Sequence, residues 1–279
     1  MIELHRSKDT ASLGRYSGKR LQTMLRQLTE HFYADGTGKV DFKPKARQRW
    51  SGSKEILKRE SANKCAYCEA DTAVVAHGDV EHFRPKDLYW WLAYSMDNYN
   101  FSCQICNQNY KGNQFPVSGP RVAGPSMPAA LPSGPALDAL AATLCPDPAT
   151  STSKALKQRF RSEGAHLPDP YLDEPQRLFS WEADDKAREV RLVARGRSVR
   201  ARNAAQAAQT VLGLNRSELL RLRWQHYDDL HTMVRALKSL PTDHPELPDL
   251  LQRVRNMAAS DRPFAAMKRH YLSVWGVTP

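Results

Sequence analysis

Two short stretches decide how this chain folds: Cys65-Ala-Tyr-Cys68, and further on Cys103-Gln-Ile-Cys106-Asn107. In each pair a two-residue gap turns both sulfurs toward one ion, and together the pairs supply the four thiolates of a closed tetrahedral zinc site. The interval between them, residues 69 to 102, exceeds the roughly 15 to 20 residues of a simple zinc ribbon, so it holds more than a hairpin. Five cysteines in 279 residues are too few for a disulfide scaffold, and paired thiols of this kind point to metal in a reducing compartment. Cys145 is read as an ordinary small side chain.

The insert is rich in groups that do chemistry. Asp79-Val-Glu-His-Phe-Arg-Pro-Lys86 sets a carboxylate beside an imidazole with two cations following, and Asp97-Asn-Tyr-Asn-Phe-Ser-Cys103 leads into the second pair. After that pair comes Asn107-Gln-Asn-Tyr-Lys-Gly-Asn113. The run Tyr89, Trp90, Trp91 and Tyr94 admits stacking on bases or packing around a small core, and packing is the commoner use of such a run.

Working outward, Leu21, Met24, Leu25, Leu28 and Phe32 recur at helical spacing over 18 to 33, with Asp35-Gly36 as a stop. A short helix around Ser53 to Ala62 leads into the first cysteine pair. From Pro116 to Pro148 closely spaced prolines argue against a long helix or a central strand, giving an irregular connector. Glu189 to Arg195 is a strand candidate that ends at Gly196. Helical patterning follows, with Gly213 closing one helix and Asn215 with Glu218 forming a capping-box-like start to the next, which ends at Pro241. A last helix is expected from about Asp261 to Trp275.

The formal charge of +11 favours an anionic partner. Arg195, Arg197, Arg200, Arg202, Arg216, Arg221 and Arg223 read either as a nucleic-acid track or partner surface, or as solvated helix faces. The N-terminus lacks an apolar signal core, and no apolar run approaches the roughly 20 residues of a membrane span. A cytoplasmic protein with no membrane partner is expected.

These motifs resemble the HNH nucleases, whose pattern is a cysteine pair, an acidic-His dipeptide, an Asn five residues before the second pair and an Asn directly after it. Glu81-His82, Asn98 and Asn107 occupy those positions. Cys-Ala-Tyr-Cys-Glu, Glu-His-Phe-Arg-Pro-Lys, Tyr-Trp-Trp-Leu-Ala-Tyr and Lys-Gly-Asn-Gln-Phe-Pro, within residues 65 to 117, further resemble the HNH subunit of Septu-type anti-phage systems and its retron-associated relatives. Weaker likeness reaches Met1-Ile2-Glu3-Leu4, Asp173-Glu-Pro and Val211-Leu-Gly-Leu-Asn-Arg216, whereas 119 to 150 aligns with nothing in that family. Two departures stand out. Glu81 replaces the commoner Asp, and Lys111 lies four residues after Asn107 where three is usual. His77, beside Gly78, matches no required position.

The resemblance implies a metal-dependent endonuclease that hydrolyses phosphodiester bonds of DNA or RNA. His82 is then the general base, held by Asn98, and Glu81 with Asn107 ligates a catalytic Mg2+ or Mn2+, ions that take oxygen donors. Cys65, Cys68, Cys103 and Cys106 hold a structural Zn2+ that leaves no open position for chemistry. Arg84, Lys86 and Lys111 are candidate phosphate contacts or else solvated surface charges. The implied setting is bacterial antiviral defence with an ATPase partner subunit.

The expected fold is α+β and mostly helical, a ββα-metal (HNH) core with a four-cysteine zinc site surrounded by N- and C-terminal helices. In that core Val80 to His82 ends the first strand, Tyr99 to Cys103 forms the second, and a helix begins near Cys106, so that Asn107 reaches Glu81. The expected segments are 1–62, an N-terminal helical part; 63–118, the zinc-stapled core; 119–180, a Pro-rich irregular connector; and 181–279, a helical region packing on the core. The rival reading is a catalytically silent zinc-ribbon subunit that binds nucleic acid or acts as a scaffold.

Overall fold

The computed structural model describes residues 1–36, 38–72 and 77–278. It is a mostly helical α+β protein with two small antiparallel sheets. The N-terminal part carries α1 (Thr10–Leu13), α2 (Gly18–Asp35) and α3 (Lys54–Glu60). The first sheet pairs β1 (Asp79–His82) with β2 (Tyr99–Ser102), and beyond them lie α4 (Gly134–Ala142) and α5 (Ser153–Arg159). The second sheet pairs β3 (Phe179–Asp184) with β4 (Glu189–Ala194), followed by α6 (Val199–Thr210), α7 (Ser217–Ser239), α8 (Leu247–Met257) and α9 (Ala265–Val274). Among the described residues no helix is long and apolar enough to cross a membrane.

The apolar stripe of 18 to 33 becomes α2, which buries Leu21, Met24, Leu25 and Leu28. The segment expected to be irregular holds α4 and α5. Pro135 sits in the first turn of α4, where a missing N–H goes unnoticed, and the other prolines of the segment lie outside both helices. Gln22 and Arg26 of α2 hold α4 through the Asp138 carbonyl at 2.6 Å and its carboxylate at 3.2 Å.

The aromatic run is packing. Tyr89 and Tyr94 are fully buried and Trp91 nearly so. Phe83 and Tyr89 each meet Phe115 edge to face, while the half-buried Trp90 stacks on Phe32 at 4.4 Å.

In the C-terminal region the capping expectation is replaced. Asn215 does not cap α7; its amide takes the part of a neighbouring strand, accepting from Leu192 N at 2.9 Å and donating to Leu192 O at 2.8 Å. α7 therefore starts from Arg216 with no side-chain cap. Helices α7, α8 and α9 bury a second, smaller core around Leu230, Val234, Val254 and Leu272. The sequence reading had no counterpart to α8, whose Pro-Asp start follows directly on the loop after Pro241.

Two glycines bind these parts to the cysteine region. Gly78 (φ +59°) lies where a Cβ would meet the Phe101 ring at 2.4 Å, and Gly213 (φ +59°) where it would meet the Tyr110 ring at 2.4 Å. Both the positive φ and the ring contact require a residue without a side chain. Glu69, directly after Cys68, ties three regions together. Its buried carboxylate pairs with the Met1 ammonium and accepts from Ala266 N at 3.1 Å, and its carbonyl accepts from Phe264 N at 3.3 Å.

Candidate functional site

The first cysteine pair sits in a tight turn closed by a bridge between Lys64 and Asp71 and by Glu69 N donating to Cys65 O at 2.9 Å. Glu69 adopts φ +61°, and Ala66 N donates to Phe101 O at 2.8 Å, which fastens the turn to β2. β2 then runs straight into Cys103. From Ile105 to Lys111 the chain makes wide π-helical turns, with Gly112 N donating to Asn107 O at 2.7 Å. Such wide turns are rare and concentrate at functional sites.

These elements bring the sulfurs of Cys65, Cys68, Cys103 and Cys106 within 4.8 Å of one another. Cys68 and Cys103 are 4.0 Å apart, against about 3.8 Å for a tetrahedron with 2.3 Å zinc–sulfur bonds. Separation, burial and an all-thiol donor set suit a metal ion such as zinc. The Arg216 guanidinium lies 3.6 Å from Cys106 Sγ, and Cys106 N donates to Cys103 Sγ at 3.4 Å. The charge of four thiolates exceeds that of a divalent ion, so these donors offset the surplus.

The sequence reading placed Arg216 only in a basic stripe, since nothing local to residue 216 marks its approach to residue 106. That stripe divides. Arg223 is buried, with Nη1 3.4 Å from Asn215 Oδ1, and Arg200 donates to the Ala165 and His166 carbonyls at 2.7 and 2.6 Å. Arg195, Arg197, Arg202 and Arg221 are exposed.

β1 alternates across the sheet, so Asp79 and Glu81 share one face and Val80 and His82 the other. The register pairs Glu81 with Asn100 and His82 with Tyr99. On the His82 face the ring stands edge-on to Trp50 at 4.9 Å and to Tyr99 at 5.1 Å. His82 Nε2 lies 3.1 Å from Ala93 O. A carbonyl only accepts, so Nε2 carries the proton and Nδ1 presents its lone pair. Nδ1 has no hydrogen-bond partner among the described residues. Burial pushes the imidazole down to about 3, with the Ala93 carbonyl opposing and Lys86 and Lys111 adding. The ring is therefore neutral at physiological pH, and the same burial weakens it as a base.

Asn98 holds the loop that follows. Its Oδ1 accepts from Arg84 N at 2.9 Å, its Nδ2 donates to Arg84 O at 2.9 Å, and its own carbonyl accepts from Phe83 N at 2.8 Å. It acts on the backbone two residues after His82, while the ring itself rests on Ala93.

The Glu81 face is a closed polar group. The Tyr67 hydroxyl donates to Glu81 Oε2, Lys111 Nζ lies 2.5 Å from Oε1, and Asn100 Nδ2 donates to the Tyr67 oxygen at 3.0 Å. Burial, reinforced by the Glu81 carboxylate, holds the Tyr67 hydroxyl well above its ordinary range, so it stays a donor. Lys111 Nζ also donates to His82 O at 2.9 Å, linking the two faces through the backbone.

Asn107 does not join this group. Its Nδ2 donates to Asp79 Oδ2 at 3.2 Å, and Gln108 Nε2 donates to the same oxygen at 2.8 Å. Asp79, two residues before Glu81 on the same strand face, was not singled out from sequence; that spacing of two is the signal that marks it.

The three cations expected on phosphate also separate. Arg84 is buried, pairs with Glu163 at 2.8 Å and stacks on Phe160 at 3.6 Å. Lys111 is fully buried on Glu81. Both charges are spent inside the protein, so the sequence expectation is corrected for these two. Lys86 is partly exposed beside Trp50, the indole that packs on His82, with Asp87 at 3.9 Å.

No protein-family model matches the chain, and no solved structure matches it. Over 77 residues the chain is 39% identical to Septu protein PtuB of Bacillus mycoides (strain KBAB4), a stretch that covers 23% of this chain and 26% of that protein. The match thus spans about a quarter of the curated relative, and by its sequence this protein is similar to a Septu PtuB protein.

Proposed function

We propose that the protein is an HNH-type endonuclease serving anti-phage defence, with His82 as the base that activates water against a phosphodiester. The observation that carries this reading is the His82 ring. It is neutral, fixed in one tautomer by Ala93 O, and its Nδ1 has no partner among the described residues. Similarity to Septu protein PtuB supports the defence setting, and an ATPase partner belongs to the same proposal. Asn98 is a positioning residue for the His82 loop, and Lys86 is the cation left to meet a substrate phosphate at this face.

Glu81 and Asn107 are the residues that would hold Mg2+ or Mn2+, and the ion would supply charge stabilisation to a phosphorane. Their present arrangement does not fit an oxygen-ligated ion. Glu81 is neutralised by Lys111, and Asn107 faces Asp79. Entry of an ion at Glu81 requires Lys111 to leave. This same observation favours a second reading, a zinc-stapled subunit that binds nucleic acid or serves as a scaffold without cutting.

Incubation with DNA and with total RNA, with and without Mg2+ or Mn2+, decides between them when the parent is compared with His82→Ala. The partner subunit belongs in a parallel arm. Ion-dependent cleavage that disappears in His82→Ala, with bound zinc and fold unchanged, is the expected result. Nucleic-acid binding with no cleavage in any arm leaves the scaffold reading standing.

A further inference from the structure

Beside the loop that follows His82, a cleft of about 320 Å³ opens between α5, the turn after it, and the segment 167–173. Phe83, Phe160, Leu167 and Leu172 give it apolar walls, broken by Arg84, which stacks on Phe160, and by the Asp173–Arg200 pair. At the rim Lys157 and Arg161 are exposed, and neither side chain has a partner among the described residues. Inside, Asp169 is only 5% exposed. Its Oδ1 accepts from Tyr171 N at 3.0 Å, but its Oδ2 is buried without any hydrogen-bond partner among the described residues.

A buried oxygen left unpaired is destabilising, and native proteins keep few of them. Burial also pushes the Asp169 carboxyl up to about 7 against the pull of Arg84, the sign of an oxygen lacking donors. A donor carried in by a ligand would meet that deficit. The rim asks for the opposite chemistry, an anion, and Lys154 and Arg159 of α5 strengthen the field there. The volume sits at the small end of ligand sites, about 300–1,000 Å³; it admits one flat ring system and excludes a duplex.

We infer that this cleft binds a single nucleotide unit, with the amino edge of its base donating to Asp169 and its phosphate at Lys157 and Arg161. The unit is either a free nucleoside monophosphate or one unpaired nucleotide of a strand. Carboxylates accept from exocyclic amino groups of bases, so bases with an amino group bind better than uracil. The cleft is also mechanically close to the first site. Arg84 lines it, and the Arg84 backbone is what Asn98 clamps two residues from His82.

Titration calorimetry on the full chain tests this with AMP, CMP, GMP, UMP, adenosine, inorganic phosphate and a single-stranded pentanucleotide. An amino-bearing monophosphate is expected to bind at least about tenfold tighter than UMP, adenosine or phosphate, the scale of one hydrogen bond to a charged group. If the strand is the source, the pentanucleotide binds and the monophosphates do so weakly. In either case Lys157→Glu with Arg161→Glu, both exposed, is expected to weaken binding about tenfold or more. Asp169→Asn is expected to erase the preference over UMP. Should that buried variant misfold, the rim variant still decides. Absence of binding to every probe at millimolar concentration, or equal binding by the rim variant, overturns the inference. Repeating the titration in His82→Ala separates it from the cleavage reading, because binding is expected to be unchanged there whatever the outcome for cutting.

Discussion

The two hairpin-like sheets of this protein are built from strands of similar length by opposite means. β3 and β4 follow each other after four residues, pair over six positions from Phe179↔Ala194 to Asp184↔Glu189, and turn alternate side chains such as Glu182 and Arg191 to solvent. β1 and β2 are separated by residues 83 to 98, pair over only four positions, and every residue of β2 is buried. The first kind of sheet is held by its own apolar face on α6, α7 and α9. The second is held from outside, by four sulfurs at one end, a buried ion pair on one face and an imidazole wedged between aromatics on the other. Burial without alternation marks a sheet that exists to hold particular groups in place.

The most severe way to break the comparison is to break the four-cysteine cluster. Cys68→Ser is expected to destabilise the protein by several kcal/mol, within the roughly 10–16 kcal/mol that zinc contributes to small structural sites. Hydrogen exchange should show protection lost first in β1 and β2 and kept longest in β3 and β4. Equal loss in both sheets refutes the division.

Next comes the ion pair. Lys111→Met leaves Glu81 buried and unpaired, with an expected loss of about 3–5 kcal/mol. Adding Glu81→Gln should restore part of that loss, and a double-mutant cycle by urea unfolding measures the coupling. Tyr67→Phe removes one donor to the same carboxylate and should cost about 1–3 kcal/mol.

Acid provides a graded test of the other face. The His82 ring is held below its unfolded value of 6.5, at about 3. The unfolded chain therefore binds the proton first, so the contribution is whole above pH 6.5 and lost as pH falls toward 3. Unfolding of the parent compared with His82→Phe should show a shallower decline in the variant over that window. The smallest effect belongs to the second sheet. Glu182→Gln, opposite Arg191 on the solvent side, should change stability by less than about 0.5 kcal/mol.

Legibility in the sequence follows the same division. α2 and β4 could be read because their apolar residues recur with a period, and the cysteine pairs because thiol spacing leaves few geometries. β1 has no such pattern; only the motif around Glu81 and His82 placed it. Which way each of those side chains turns, and what meets it, depends on Trp50, Tyr67, Ala93 and Lys111. Lys111 is an example of the difficulty. A lysine near a cluster of polar residues reads as a surface cation, and only the depth of Glu81 makes it a buried partner. Asn215 failed for a related reason, since the side chain expected to cap its own helix instead satisfied the Leu192 backbone in another element.

Glu69 joins the cysteine turn to partners 68 and 197 positions away. Contacts of such long range must wait for large loops to close, and they slow the search for the native state. A thiol pair only four residues across can come together early, but the turn that carries it becomes rigid only when the segment around Met1 and α9 have both docked. The cysteine region is thus among the simplest parts of the molecule to begin and among the last to finish.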